Sequence, residues 1–264
     1  MIMIEEIKLD SIAELFDFLV QNPIGKHPIM NFTYRGQNKA DYKLSSSLRR
    51  TFHSEYEHNE KRLLINFQKY GQSIEPHLCD SVWHNMIIAQ HHGIPTRLLD
   101  FSVSPLVALH FALTDINSND DAALWAISHV KLHNILPIRY KKILKENMGR
   151  SFTVEMLEEL RISIFEYNSD MGNSSLLFLE PPSIDARIVN QFSHFALIPD
   201  MLDPLDDFLM QLSIPHIAYK FIIPSKGKRV FRQQLDTVNI TERTLFPGLD
   251  GIASYLSRRY RESF

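Results

Sequence analysis

Residues 90–112 read QHHGIPTRLLDFSVSPLVALHFA, and the fold can be worked out from this stretch outward. Apolar residues on helical spacing come before it and predict a helix over residues 79–91, which Gly93 ends. Ser104 is a good N-cap and Pro105 a good first helical residue, so a second helix is expected to begin there. The irregular segment between the two helices is dense in hydrogen-bond donors and acceptors, which is typical of a ligand-binding loop.

The rest of the chain shows a mixture of helical and strand patterns. Further helices are predicted at residues 9–21, 54–72, 139–166, 229–236 and 249–262, and strands at residues 29–35, 122–128, 176–179, 194–198 and 217–223. Residues 168–175 indicate a flexible loop. The mixture predicts an α+β fold. Because no linker is long or rich in Gly and Ser, we expect a single domain over residues 29–264, preceded by an N-terminal helix and leader over residues 1–28.

The composition is that of a globular protein in a reducing compartment. Of the 264 residues, 44% are hydrophobic and 22% are charged, and the net charge of −3 argues against nonspecific coating of nucleic acid. The single cysteine, Cys79, excludes an internal disulfide and a cysteine-rich zinc site, which fits the cytoplasm. The sequence has no run of about 18 uncharged apolar residues and no signal-peptide pattern at residues 1–6, so no membrane segment is expected.

The twelve histidines invite a metal site, but their spacing does not support one. His77, His84 and His91 recur every seven residues, which is a rise of about 10.5 Å along a helix. Two ligands that each lie about 2 Å from one zinc ion cannot span that distance. No metal site is therefore expected. The sequence motifs of serine hydrolases, P-loop enzymes and Rossmann dinucleotide sites are missing as well.

Three groups of polar residues remain as candidates for a functional site. The first is Tyr34-Arg35-Gly36-Gln37, at the end of a predicted strand. The forked guanidinium of Arg35 suits phosphate, and a glycine lets a ligand approach the backbone closely. The alternative interpretation is a surface arginine that precedes a turn.

The second and third groups also allow two interpretations each. Arg97 and Asp100 enclose two leucines, so each would need a partner if buried, and they could pair with each other to hold a loop. The same segment could instead bind a ligand, and the two interpretations are compatible. Residues 187–195 alternate in polarity, which indicates a strand that either points Gln191 toward a ligand or is a satisfied edge strand.

These three groups, in this order, resemble the FRG domain. Residues 34–36 match the Phe/Tyr-Arg-Gly for which the family is named, and residues 90–100 match its Gln-His-x-Gly-x-Pro-Thr-Arg-Leu-Leu-Asp signature without a gap. The segments 105–112, 186–191 and 245–251 also resemble the family. Ser193 stands where a glycine is usual, and Phe101 stands where a tryptophan is usual.

The order of these parts is similar to that of ADP-ribosyltransferases of the Arg-Ser-Glu type. Those enzymes have an arginine on a first strand, a serine-bearing strand that leads into a helix, and a catalytic glutamate last. Arg35, Ser102 and Gln191 occupy the comparable places here. The resemblance implies an ADP-ribosyltransferase-like fold in which small, split or mixed β-sheets are flanked by helices and a cleft binds NAD as a substrate.

The resemblance also implies a role for each candidate residue. Arg35 would hold the pyrophosphate of NAD, the backbone of Gly36 would read the nicotinamide amide, and Ser102 and Asp100 would orient the ribose. Because the amide of Gln191 cannot act as a general base, Asp100 or His91 would supply that function. The expected catalytic residues are Arg35, Asp100, Ser102, Gln191 and His91, and the expected NAD-binding residues are Tyr34, Arg35, Gly36, Gln37, Gln90, Thr96 and Arg97.

The predicted activity is therefore transfer of ADP-ribose to an unknown protein or nucleic-acid acceptor, or cleavage of NAD, in a bacterial or phage setting of defence or toxicity. Two other classes stay open. A non-catalytic sensor of a nucleotide, a nucleic acid or a phage protein would use basic clusters at residues 226–229 and 258–261. A nuclease would need clustered carboxylates, which Asp200, Asp203, Asp206 and Asp207 could supply, although an acidic loop or helix start explains these residues more simply.

Overall fold

The computed structural model describes residues 4–21, 31–79 and 81–261. The strands are β1 (Glu5–Lys8), β2 (Thr33–Gln37), β3 (Leu98–Ser102), β4 (Ala122–Ile127), β5 (Leu177–Leu179), β6 (Ser193–Leu197) and β7 (Ala218–Ile223). The α-helices are α1 (Ile12–Gln21), α2 (Ser47–Phe52), α3 (Tyr56–Gly71), α4 (Val82–His91), α5 (Pro105–Ala112), α6 (His129–His133), α7 (Ile138–Glu146), α8 (Val154–Glu159), α9 (Ile164–Met171), α10 (Ala186–Asn190), α11 (Leu205–Gln211), α12 (Lys228–Thr237), α13 (Glu242–Leu245) and α14 (Leu249–Arg261). No helix within these ranges has the length and apolar character needed to cross a membrane.

The seven strands form one mixed sheet in the order β1-β7-β4-β2-β3-β6-β5. β1 is parallel to β7, and the other neighbours are antiparallel. Most of these pairings run along three or more residues, but β2 and β3 pair only at Tyr34 and Ser102. The sheet therefore has two parts, β1-β7-β4-β2 and β3-β6-β5, which are joined at a single residue pair.

The two parts of the sheet are covered by different helices on the same face. Tyr34 and Ser102 lie opposite each other and so share a face, and Leu98 lies on that face too because side chains alternate along β3. On this face α1, α5 and α12 cover the first part, and α4 with α7, α8 and α9 covers the second part. A third cluster, which includes Phe101 and Trp125, packs against α11 on the opposite face. The junction between β2 and β3 thus lies below the boundary of two groups of helices.

β4 is the central strand of the larger part of the sheet. The six residues of Ala122–Ile127 are all buried, and they alternate between the clusters on the two faces. A strand covered on both faces is apolar along its whole length, so the prediction of a buried strand here is confirmed.

The start of the second helix of the opening motif is also confirmed. The side chain of Ser104 accepts a hydrogen bond from the backbone N–H of Val107, and Pro105 is the first residue of α5. This helix crosses β2 at Gly36, where an added Cβ atom would lie 1.9 Å from the carbonyl oxygen of Ala108. Gly36 is therefore required for helix packing, because no side chain fits between β2 and α5.

The long helix predicted at residues 139–166 is wrong. α7 ends before Met148, whose φ of 50° turns the chain. The side chains of Thr153 and Ser163 then each cap a new helix, α8 and α9. Because α9 continues to Met171, the flexible loop predicted at residues 168–175 is also wrong in its first half.

Two segments beside the junction differ from their predictions as well. The irregular segment of the opening motif ends in β3, where Leu99 and Phe101 are buried on one face. Residues 187–195, predicted to be a strand, begin with α10 because Asp185 accepts a hydrogen bond from the N–H of Ile188 and caps a helix. The chain becomes extended only at Ser193.

The prediction of an α+β fold is confirmed, and the expectation of separate small sheets is corrected to one sheet with a narrow junction. β1 and α1 belong to the same sheet and core as the later elements. Residues 22–30, which contain the end of the expected leader and the start of the expected strand at 29–35, lie outside the described residues.

Three buried histidines cluster beside the junction. His129 and His194 have ring centroids 5.2 Å apart, and His129 and His133 have ring centroids 5.7 Å apart. Burial lowers the pKa of His129 to about 4 and that of His133 to about 3, and it lowers the pKa of His194 well below 6.5. All three side chains are therefore neutral in the folded protein at pH 7.

Replacing Gly36 by alanine is expected to lower the free energy of unfolding by about 3 kcal/mol, because the new methyl group would collide with the backbone of α5. Gly227 is the matched control, since an added Cβ atom there would make only ordinary contacts at 3.7 Å with Phe231. Gly227→Ala should stay within about 1 kcal/mol of wild type in urea unfolding. Equal stability of the two variants would contradict the close packing of α5 on β2.

Acid should destabilise the fold through the buried histidines. Below pH 6.5 these histidines become protonated in the unfolded chain but stay neutral in the folded protein, because burial lowers their pKa. The free energy of unfolding therefore falls as the pH is lowered from 6.5 to 4, by about 1.4 kcal/mol per pH unit for each histidine. His129→Phe removes one titrating group and should reduce this slope, as measured by urea unfolding at several pH values. His58→Gln, at an exposed position, should leave the slope unchanged. A slope that His129→Phe does not alter would contradict this origin of the acid sensitivity.

Candidate functional site

A cavity of about 710 Å³ opens where β2 and β3 separate. Its volume lies within the range of about 300–1,000 Å³ that is usual for small-molecule sites. β2, β3, α4, α5, α10 and the segment that follows β2 all contribute residues to its wall. Of the residues predicted for the site, all except Thr96 and Arg97 line this cavity; they are Tyr34, Arg35, Gly36, Gln37, Gln90, His91, Asp100, Ser102 and Gln191.

The guanidinium of Arg35 crosses the gap between the two strands. Its Nη1 donates a hydrogen bond of 2.5 Å to the carbonyl oxygen of Asp100 and lies 3.9 Å from the Asp100 carboxylate. Its Nε is buried and has no hydrogen-bond partner among the described residues. Burial lowers the pKa of Arg35, Asp100 raises it and Arg50 lowers it, but a guanidinium stays protonated at pH 7. Arg35 therefore presents a fixed positive charge whose donors are only partly used.

The carboxylate of Asp100 is held by a chain of three hydrogen bonds that the opening motif encodes. The backbone N–H of Leu98 donates to Thr96 Oγ1, so the Thr96 hydroxyl is free to donate to Gln90 Oε1 at 2.7 Å. With its oxygen engaged, the Gln90 amide turns its NH₂ group toward Asp100, and Nε2 lies 3.1 Å from both carboxylate oxygens. Thr96 thus lies behind the site and fixes the position of Gln90, which in turn fixes Asp100.

The lining of the cavity is positively charged overall. Besides Arg35 it includes Lys43, Arg50 and Arg187, whereas Asp100 is the sole carboxylate among the described lining residues. Lys43 is paired with two aspartates outside the cavity, Arg50 donates to the carbonyl oxygen of Ser45, and Arg187 lies over the ring of Phe246. An excess of cations in a concave site favours an anionic ligand such as a phosphate group. Neither Arg50 nor Arg187 was assigned a role from the sequence: Arg50 stands in no recognisable motif, and Arg187 lies in the segment 186–191, of which only Gln191 was singled out.

Ser102 and Gln191 lie in the cavity wall but are largely engaged within the protein. The hydroxyl of Ser102 donates to the carbonyl oxygen of Gln191 at 2.8 Å and accepts from the N–H of Ser104 at 3.0 Å. The amide nitrogen of Gln191 donates to the carbonyl oxygen of Leu245. These bonds tie β3, α5 and the turn after α10 together, so they support a structural role for both residues.

Arg97 does not reach the cavity and does not pair with Asp100, so the interpretation in which these two residues pair with each other is wrong. The Arg97 side chain is 3% exposed and pairs with Glu60, which is equally buried, and with Asp200 at 3.1 Å. Arg97 directly precedes β3 and Asp100 lies at its centre, and their side chains have different surroundings. Arg97 is therefore a buried anchor between β3 and α3, and a ligand cannot reach it.

The acidic cluster predicted as a possible metal site is engaged with protein groups. All four carboxylates have partners: Asp200 contacts Arg97, Asp203 contacts Ser45 and Ser46, Asp206 contacts the backbone N–H of Leu44, and both Asp206 and Asp207 contact Lys43. The contacts of Asp203, Asp206 and Asp207 fasten residues 43–46, of which Lys43 and Ser45 line the cavity. Within the described ranges no group of three or more His, Cys, Asp or Glu side chains is arranged to hold a metal ion.

One residue of each basic cluster is engaged within the protein. Lys228 is fully buried, and its Nζ donates to the carbonyl oxygens of Asn38 and Asp115. Arg258 is paired with Asp236 and Glu242. Each cluster therefore contributes one charge fewer to the surface than its sequence suggests.

Comparison with known families finds a match to one family over part of the chain. The family model of the FRG domain matches residues 30–121, which include β2, α4, β3 and α5. No curated protein and no solved structure matches the chain. The match covers the two groups of residues that form the gap and the hydrogen-bond chain behind Asp100, while Arg187 and Gln191 lie outside it.

Arg97→Ala is expected to lower the free energy of unfolding by about 3–5 kcal/mol, because Glu60 would stay buried without its partner. Arg35→Ala should change it by no more than about 1 kcal/mol, since water in the cavity can replace the single hydrogen bond to Asp100. Urea unfolding of the two variants measures the difference. Similar losses in both would contradict the assignment of Arg97 to the core and Arg35 to the cavity.

Proposed function

We propose that this FRG-domain chain binds NAD as a substrate in the cavity between β2 and β3 and breaks its bond to nicotinamide, with transfer of ADP-ribose to an acceptor. The observation that carries the proposal is Arg35. A partly buried cation whose Nε is buried without a hydrogen-bond partner among the described residues, at the mouth of a gap in a sheet, supports binding of the pyrophosphate of a dinucleotide. Arg50 and Arg187 add positive charge to the same cavity.

The carboxylate of Asp100 supports the chemical step of the proposal. Cleavage of the nicotinamide bond develops positive charge on the ribose, and a fixed negative charge nearby stabilises that state. The Gln90 amide holds the Asp100 carboxylate in place, so little reorganisation is needed when the charge develops. The side chain is 61% exposed toward the cavity, which leaves it accessible to a bound ribose.

A second candidate function is binding of the nucleotide without catalysis. It is favoured by Gln191, which stands where the catalytic glutamate of Arg-Ser-Glu transferases would be and whose amide is bonded to the carbonyl oxygen of Leu245. Both candidates require Arg35, and they differ in whether nicotinamide is released. A setting in defence or toxicity, and a protein or nucleic-acid acceptor, stay part of the proposal.

The test incubates the purified chain with NAD and measures binding by calorimetry and nicotinamide release by chromatography. Arg35→Ala should weaken NAD binding by about 10–100-fold, the equivalent of a lost charged hydrogen bond of about 1.5–3 kcal/mol. Arg35→Lys should bind NAD with an affinity between those of wild type and Arg35→Ala, because lysine keeps the positive charge but loses the two parallel donors of the guanidinium. Arg229→Ala, an exposed position bonded to Asn117, is the control and should bind like wild type.

Asp100→Asn separates the two candidates. If the cavity is catalytic, this variant should release nicotinamide about 10²–10³-fold more slowly and still bind NAD. Binding by wild type without release would favour the non-catalytic nucleotide site. Wild type that neither binds nor cleaves NAD would contradict the proposal.

A further inference from the structure

His91, the last residue of α4, has a carboxylate partner at the cavity wall. Its Nε2 lies 2.5 Å from Oδ2 of Asp185. His91 lines the cavity, whereas Asp185 is not among the described residues that line it. The carboxylate therefore stands behind the imidazole as seen from the cavity.

This contact fixes which nitrogen of His91 carries the proton. In a neutral imidazole the nitrogen that faces a carboxylate is the donor, so Nε2–H donates to Asp185 and Nδ1 keeps its lone pair. Among the described residues no hydrogen-bond partner is found for Nδ1. His91 can therefore accept a proton at Nδ1.

The position of Asp185 is itself fixed by the backbone. Its Oδ1 accepts a hydrogen bond of 2.8 Å from the N–H of Ile188 as the N-cap of α10, which leaves Oδ2 for His91. His91 also directly follows Gln90, which holds Asp100. One turn of α4 thus positions both the negative charge of the proposed site and the imidazole.

The surroundings of His91 keep its imidazole neutral at pH 7, so that it can accept a proton. Burial lowers the pKa of His91 below 6.5, Asp185 raises it, and Arg187 and His92 lower it, with a net decrease. The imidazole is therefore neutral at pH 7. A neutral imidazole oriented by a carboxylate is a common arrangement for general-base catalysis.

Building on the proposed function, we infer that His91 and Asp185 form a general-base pair that deprotonates an oxygen nucleophile, so that the acceptor of ADP-ribose is water or a hydroxyl group. A hydroxyl group or water is a weak nucleophile unless a base removes its proton. A carboxylate acceptor is already deprotonated at pH 7, so it would not need a general base.

The bond between C1′ of the ribose and the nicotinamide nitrogen breaks, and its electron pair leaves with nicotinamide. The acceptor oxygen forms a bond to C1′, and its proton moves to Nδ1 of His91. Asp185 stabilises the resulting imidazolium, which then releases the proton to solvent.

The competing explanation is that the pair only fastens α4 to α10. Three variants distinguish the two roles in an assay of nicotinamide release by the full chain. His91→Gln removes the base, and Asp185→Asn removes the charge but keeps a good N-cap for α10. His58→Gln is the control, since His58 is exposed and is not among the described lining residues.

His91→Gln should lower kcat by about 10²–10⁴-fold with KM within about twofold of wild type. Asp185→Asn should lower kcat by about tenfold or more and move the acidic limb of the pH profile to lower pH, because the lost carboxylate no longer raises the pKa of His91. His58→Gln should behave like wild type.

Wild-type kcat in His91→Gln, or an unmoved acidic limb in Asp185→Asn, would overturn the base pair and leave the proposed function standing. If His91→Gln does not fold, the pH profile of Asp185→Asn decides alone. Absence of nicotinamide release from wild type would instead overturn the proposed function, and the base pair with it.

Discussion

The site depends on a gap in the sheet, where β2 and β3 pair at Tyr34 and Ser102 and then separate. Separated strands leave polar backbone groups that must find other partners. The guanidinium of Arg35 bridges the gap by donating to the carbonyl oxygen of Asp100, and it satisfies one of these groups without closing the space. Packing of α5 directly on Gly36 holds β2 in its path. The cavity is thus a consequence of how the two parts of the sheet are joined.

Arg35 and Arg97, which come from two different motifs, show how surroundings divide structural from functional roles. Arg97 has its Nε within 3.0 Å of both carboxylate oxygens of Glu60, and a further carboxylate lies nearby, so its donors are used inside the fold. Arg35 has one backbone partner, and its buried Nε has none among the residues that the structure describes. A charged group that the fold leaves incompletely paired is a candidate for ligand binding, because burial without a partner costs free energy that a ligand can recover.

The sequence predicted which segments come together at the site better than it predicted the helices, strands and ion pairs of each segment. The three polar groups were expected to meet, and Arg35, Asp100 and Gln191 do line one cavity. The pairing of Arg97 was not predictable, because Glu60 and Asp200 come from distant segments and no local pattern marks them. Strand β1 was missed since three of its four residues are exposed, and apolar periodicity cannot reveal such a strand. The caps at Thr153 and Ser163 are readable signals that the continuous charged pattern of residues 139–166 obscured.

The hydrogen-bond state of Arg35 Nε is the most direct measure of the central claim. In ¹⁵N NMR spectra, saturating ADP-ribose should shift the Nε–H resonance of Arg35, which gains a partner, and leave that of Arg97 unchanged, since Glu60 already occupies it. A shift confined to Arg35 would agree with a phosphate seated in the gap between β2 and β3. An Arg35 resonance that stays in place while ADP-ribose binds elsewhere would contradict this account of the site.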